Sequence, residues 1–89
     1  MSELKKIATE ICSTKTKPEI LNYLQKKSYY ITQIAKALGK NKSTISRHLR
    51  SLEEIDLVRW KYGTFDKKKK FFFLTEKGSA VVKLISEKT

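Results

Sequence analysis

Apolar residues recur at helical spacing at both ends of the chain and in its middle, and switch to alternation in one stretch only. Near the start, Leu4, Ile7, Ala8, Ile11 and Cys12 follow the i, i+3, i+4, i+7, i+8 pattern of one helix face, with Lys5, Lys6 and Glu10 on the others. Ser2 suits the N-cap of this helix. In "TKPEILNYLQKK" a second helix is expected, with Pro18 at its first position, where the missing N–H is not needed, and Ile20, Leu21 and Leu24 facing inward. "SYYI" is β-prone and short enough to be a minor strand.

The segment "TQIAKALGKNKSTISRHLRSLEEIDLV" predicts two helices joined by a tight turn. Thr32 is the expected cap of the first, which carries Ile34, Ala35 and Leu38 and ends at Gly39, a residue that tolerates positive φ. Asn41 or Ser43 caps the second, where Ile45, Leu49 and Leu52 repeat on one side. Small Ala35 lies where the pair must approach closely, so the segment predicts a helix-turn-helix. After Asp56 the period falls to two: Val58, Trp60 and Tyr62 alternate with Leu57, Arg59 and Lys61. Gly63 opens a turn that Asp66 assists, "FFFLT" returns as a strand, and Thr75 caps a last helix bearing Val81, Val82, Leu84 and Ile85. The expected fold class is α+β: a single domain over 1–89, a helical bundle with a two- or three-stranded β-hairpin.

Charge changes this picture most. Twenty Lys and Arg stand against nine Asp and Glu, for a net charge of +11, which implies an anionic partner. A lysine-rich heat-adapted surface is the alternative, although acidic residues usually rise with lysine in such proteins. No apolar run approaches the roughly 18 residues of a membrane span, and the N-terminus lacks the continuous apolar core of a secretory signal. A cytoplasmic, nucleoid-associated protein with no membrane partner is therefore expected. Cys12 and His48 are the only residues of their kinds, so neither an internal disulfide nor a zinc site is expected. An intermolecular disulfide through Cys12 stays open beside the simpler role of a small buried hydrophobe. No cofactor and no small-molecule ligand are evident. An enzyme is disfavoured because no acid–base, nucleophilic or phosphate-cradling constellation can be assembled.

Two stretches carry a resemblance. "ITQIAKALGKNKSTISRHLRSLEEIDLVRW" resembles the winged helix-turn-helix of small ArsR- and MarR-like transcription regulators, and "FFFLTEKGSAVV" resembles the strand and helix start that follow their wing. The resemblance runs from about Pro18 to Ile85. It implies a recognition helix from Ser43 to about Glu54, a wing over residues 62–71 and binding to double-stranded DNA. Two departures bear on sensing: the cysteine or histidine clusters of ArsR-type metal sensors are missing, and the chain is short for the ligand pocket and flanking helices of MarR-type proteins.

A major groove admits one helix, so residues that read bases must share an exposed face. Lys42, Ser43, Thr44, Ser46, Arg47 and Arg50 meet that requirement, and Arg47 can address guanine O6 and N7 together. Thr32 and Gln33, at a helix start, are candidate phosphate contacts. His48 reads as a half-buried packing residue or a phosphate contact. Lys67, Lys68, Lys69 and Lys70 would reach the backbone or minor groove from the wing, while Phe71 with Phe73, or Phe72, would anchor the hairpin together with Trp60. Stacking of these aromatics on nucleic-acid bases is the alternative.

The terminal helices, over residues 2–14 and 76–87, carry larger apolar stripes than a small domain obviously needs. With the resemblance, this implies a homodimer through Leu4, Ile7, Ile11, Cys12, Val81, Leu84 and Ile85, with two recognition helices about 34 Å apart. The alternative is that both helices close the monomer's own core. Three functions compete: a sequence-specific DNA-binding regulator, a nonspecific architectural DNA- or RNA-binding protein, and a winged-helix module that docks proteins.

Overall fold

The computed structural model describes residues 2–65 and 67–87; Asp66, expected to assist the hairpin turn, and the side chain of Ser2, expected to cap the first helix, lie outside the described residues. Five helices and three strands follow in the order α1 (Ser2–Cys12), α2 (Thr16–Tyr23), β1 (Tyr29–Tyr30), α3 (Ile31–Leu38), α4 (Lys42–Glu54), β2 (Val58–Tyr62), β3 (Lys70–Leu74) and α5 (Glu76–Glu87). The sheet is antiparallel with strand order β1–β3–β2, so the lysine–phenylalanine strand is central. The minor strand at "SYYI" is present. Stacking of Tyr23 on Tyr29, with ring centroids 4.2 Å apart, ties it to α2.

One core serves all elements: Ile20, Leu21, Ile34, Ile45, Leu49, Leu52, Leu57, Val58 and Val81 are its largest fully buried side chains. Two starting positions differ from expectation. Pro18 is the third residue of α2 rather than the first; its absent N–H still costs nothing, because the first four amides of a helix lack intrahelical acceptors. Thr32 does not cap α3. Tyr30 takes the cap position in an extended conformation, and its N–H donates to Gln33 Oε1 at 3.1 Å, so the side chain from the third helical position closes the end.

Both helices of the helix-turn-helix end in the same backbone device. At the end of α3, Gly39 adopts φ 67°, and the amides of Lys40 and Gly39 donate to Ala35 and Lys36 carbonyls. At the end of α4, Asp56 adopts φ 63°, and the amides of Leu57 and Asp56 donate to Leu52 and Glu53 carbonyls. Each is a Schellman stop, with its left-handed residue just past the helix. Leu57, the residue after the second stop, is buried against the core together with Leu52.

That second stop locks onto the end of the hairpin. Thr75 Oγ1 donates to the Asp56 carbonyl at 2.6 Å and accepts from the Gly78 amide at 2.9 Å, while the Thr75 amide donates to the Leu57 carbonyl at 3.1 Å. Thr75 is thus the cap of α5 and a brace on the α4–β2 turn. Gly78 is buried in the first turn of α5, where any Cβ would overlap the Leu57 carbonyl oxygen. The words "EEIDLV" and "LTEKG", separated by fifteen residues in sequence, are two halves of one junction.

Hairpin anchoring departs from expectation in one respect. Phe72 and Leu74 pack on the core, whereas Trp60 does not join it. Trp60 pairs with Phe72 across the ladder but lies on β2, the sheet's edge, and contacts Tyr62 edge-on at 5.1 Å. Phe71 and Phe73 occupy the opposite face, Phe71 edge-on to Tyr30 at 5.4 Å.

The terminal helices pack on each other within the chain. Ile11 is 2% exposed and Val81 is 0% exposed, so these two belong to the monomer's core and offer no surface to a second copy. Leu4, Ile7, Leu84 and Ile85 are half-buried around them, and Cys12 is exposed rather than buried. No helix among the described residues is long and apolar enough to cross a membrane.

Candidate nucleic-acid interface

The buried stripe of α4 fixes its outer face. With Ile45, Leu49 and Leu52 inward, Lys42, Ser43, Ser46, Arg47 and Arg50 are exposed, while Thr44 and His48 are half-buried along the flank. Asn41 is the cap: its Oδ1 accepts from the Thr44 amide and from the Ser43 hydroxyl, both at 2.9 Å. Ser43 therefore spends its hydroxyl proton on the helix start, and the residues left to present donors outward are Lys42, Ser46, Arg47 and Arg50.

The Gln33 carbonyl oxygen closes the start of α3, which leaves its side-chain N–H groups as donors. Thr32 is exposed and lines a cleft of about 340 Å³ between the start of α3, the middle of α4 and the wing. Ser46 and Lys68, Lys69 and Lys70 line the same cleft, which brings three separately chosen groups of candidates onto one concave surface. Lys67 is exposed in the hairpin loop outside this lining.

The wing holds its cations over aromatic rings. The Gly63 amide donates to the Lys69 carbonyl at 3.2 Å and closes the loop. Lys69 Nζ lies 4.2 Å from the Tyr30 ring centroid and Lys70 Nζ 4.4 Å from that of Trp60. Lys61 Nζ lies 5.9 Å from the Phe73 ring centroid. Such contacts are worth about 0.5–1 kcal/mol each at exposed sites, enough to bias where an ammonium points without binding it firmly. The sequence marks Trp60 as an anchor; the sheet uses it, with Tyr30, as a rest for a lysine.

A second basic group was not foreseen. Lys17, from the start of α2, donates to Ser51 Oγ at 3.3 Å and, with Lys40 and Arg47, surrounds His48. Burial chiefly, then the charges of Lys17, Arg47 and Lys40, lower the His48 pKa below its ordinary 6.5. A lone lysine in a helix's first turn carries no sequence signal of this placement. Phe65, which no sequence pattern singles out, stands fully exposed at the wing tip, at 101% relative accessibility. Among the described residues no group of three His, Cys, Asp or Glu could hold a metal ion.

Three packed helices, a helix-turn-helix and a β-hairpin beside it define a winged helix-turn-helix protein. Residues 14–59, just over half of the chain, match the family described as "bacterial regulatory protein, arsR family", and the chain belongs to that family. Its family and fold are those of transcription regulators, not of enzymes. A solved structure of a MepR variant from S. aureus bound to an oligodeoxyribonucleotide is 28% identical with a TM-score of 0.80, covering 97% of this chain and 67% of its own. The adhesin competence repressor AdcR from Streptococcus pyogenes is 26% identical at a TM-score of 0.79, covering 83% of this chain and 54% of its own. A ZitR variant from Lactococcus lactis is 27% identical at 0.78, covering 83% and 51%. This chain thus spans about half to two thirds of the length of these structures. No curated protein matches its sequence.

Proposed function

We propose that the chain is a sequence-specific, double-stranded DNA-binding transcription regulator, with α4 in the major groove and the wing on the backbone or minor groove. The observation that carries this reading is the shared cleft. Ser46 of α4, Thr32 of α3 and Lys68 to Lys70 of the wing line one concavity, beside the exposed face that carries Arg47 and Arg50. A helix in the groove with a cationic arm beside it is the geometry a duplex requires, because phosphates flank the bases on both sides. Arg47 reads a guanine, Ser46, Lys42 and Arg50 contact bases or phosphates, and Lys67 to Lys70 neutralise backbone charge. The DNA-bound state of the similar MepR variant supports the same assignment.

The protein works as a homodimer in this reading, in the cytoplasm at the nucleoid. Leu4, Ile7, Leu84, Ile85 and Cys12 form the surface available for pairing on α1 and α5, Ile11 and Val81 being already enclosed.

Binding of a duplex selected from a random pool, compared with scrambled DNA across a salt series, tests the assignment. The selected site should bind roughly 1,000-fold tighter, with log K falling steeply against log salt. A two-fold symmetric site would report the dimer. Equal affinity for every duplex would replace the assignment with an architectural role. No binding at low salt would favour protein docking.

A further inference from the structure

Phe65 is the most exposed large apolar side chain among the described residues; Tyr62 follows at 54%. It sits in the loop between Tyr62 and Lys70, which the Gly63-to-Lys69 hydrogen bond closes at its neck. The strand leaving that loop is the central strand of the sheet, fixed to the core by Phe72 and Leu74. A rigid base therefore presents a bare phenyl ring at the far end of the hairpin.

An oily tip alone would suit a protein partner. The charge around it decides otherwise: residues 64–70, "TFDKKKK", carry four lysines and one aspartate, and Lys61 lies on the strand below. Tyr62, Phe65, Phe71 and Lys61 also share a shallow groove of about 350 Å³. A phenyl ring in a lysine-rich loop, with Lys61 lining the same groove, complements a surface that is apolar in its floor and anionic at its rims. The minor groove of DNA is such a surface, with sugar and base edges between two rows of phosphates, and apolar wedges that enter it between base steps include phenylalanine.

We propose that Phe65 is an apolar wedge that enters the minor groove flanking the site read by α4 and partly unstacks one base step. This rests on the DNA-binding assignment and adds a specificity-determining residue to it. Unstacking is easiest at pyrimidine–purine steps such as TA and CA, so the wedge makes the protein select a flexible step at a position that α4 never touches. The lysines beside it hold the flanking phosphates, and the ring reads the ease of deformation.

The experiment places 2-aminopurine at successive flanking positions of the selected duplex and measures its fluorescence with wild-type protein, Phe65→Ala and Phe65→Leu. Wild type and Phe65→Leu should brighten the probe at one step, and Phe65→Ala should not. Phe65→Ala should bind about 10- to 100-fold more weakly, the worth of burying a phenyl ring, with an unchanged salt slope because no charge is lost. Its melting temperature should equal that of wild type, since the side chain is fully exposed. Undiminished affinity of Phe65→Ala with an unchanged probe signal would overturn the wedge and leave the DNA-binding assignment standing. Loss of self-association by Phe65→Ala, with DNA affinity intact, would overturn it in favour of a contact between copies. Failure of wild type to prefer any duplex would instead remove the assignment on which the wedge rests.

Discussion

The two ends of the hairpin are built from the same short stretch and answer to different forces. At its base, Leu57, Val58, Phe72 and Leu74 meet the core, and Thr75 and Gly78 lock the strand end to the turn after α4. At its tip, Phe65 and Lys67 to Lys70 are exposed, and Lys69 and Lys70 rest their cations on the rings of Tyr30 and Trp60. Base residues are chosen by packing and backbone geometry, tip residues by what the surface must meet. Variants at the base should therefore move stability, and variants at the tip should move DNA affinity.

The largest effect expected at the base is that of Leu57→Ala. Leu57 is fully buried, so the substitution should cost about 2–5 kcal/mol of unfolding free energy in urea titration, a large share of a small domain's total. Gly78→Ala comes next, at about 1–3 kcal/mol, because its methyl must displace the Leu57 carbonyl or the α5 backbone. If either variant lost DNA affinity while remaining fully folded, the division between base and tip would break. At the tip, Lys67→Ala combined with Lys69→Ala should lower the salt slope of duplex binding by up to about two units. Its unfolding free energy in urea titration should change by less than about 1 kcal/mol, both side chains being exposed. An unchanged salt slope would mean that the wing does not touch the backbone.

The smallest effect concerns pH and belongs to neither end. His48 has a lowered pKa in the folded state, so the unfolded chain holds more protons than the folded one between that lowered value and 6.5. Stability therefore rises with pH through this window and falls as the solution is acidified through it. His48→Gln should flatten the dependence of the urea midpoint on pH there; an equally steep dependence in the variant would assign it to another group.

Much of this was legible in the residues. Helical period at Ile45, Leu49 and Leu52, alternation from Val58, Gly39 as a helix stop and Thr75 as a cap each name an element through local chemistry, and each element is where that chemistry puts it. The misses are places where a distant partner decides. Thr32 has the right chemistry for a cap, but Gln33 reaches back to the Tyr30 amide and moves the start of α3. Trp60 is the largest ring on the alternating face, yet strand order places it on an edge strand and gives the anchoring to Phe72 on the central one. Periodicity shows that Ile11 and Val81 face something apolar; only the packing of α1 on α5 shows that the cover lies within the chain. The change of period after Asp56 is visible in the residues, while its left-handed conformation needs the structure to be seen.

Exposure was legible where it follows from helix phase, as for Lys42, Ser46, Arg47 and Arg50. Legibility failed where a hydroxyl proton is spent locally, as with Ser43, or where a side chain arrives from another element, as with Lys17 beside His48. Phe65 escaped because a loop aromatic has no periodicity to break.

Arg47 offers the most direct test of the central claim, that the outer face of α4 reads DNA sequence. Affinities of wild type and Arg47→Ala should be measured side by side for the selected duplex, for duplexes substituted at each base pair, and for scrambled DNA. The account predicts that Arg47→Ala loses about 10- to 100-fold on the selected duplex, and that discrimination relaxes at one guanine-containing pair while the other positions keep theirs. An equal loss on selected and scrambled DNA, with discrimination intact at every position, would make Arg47 a phosphate contact and contradict reading by this face.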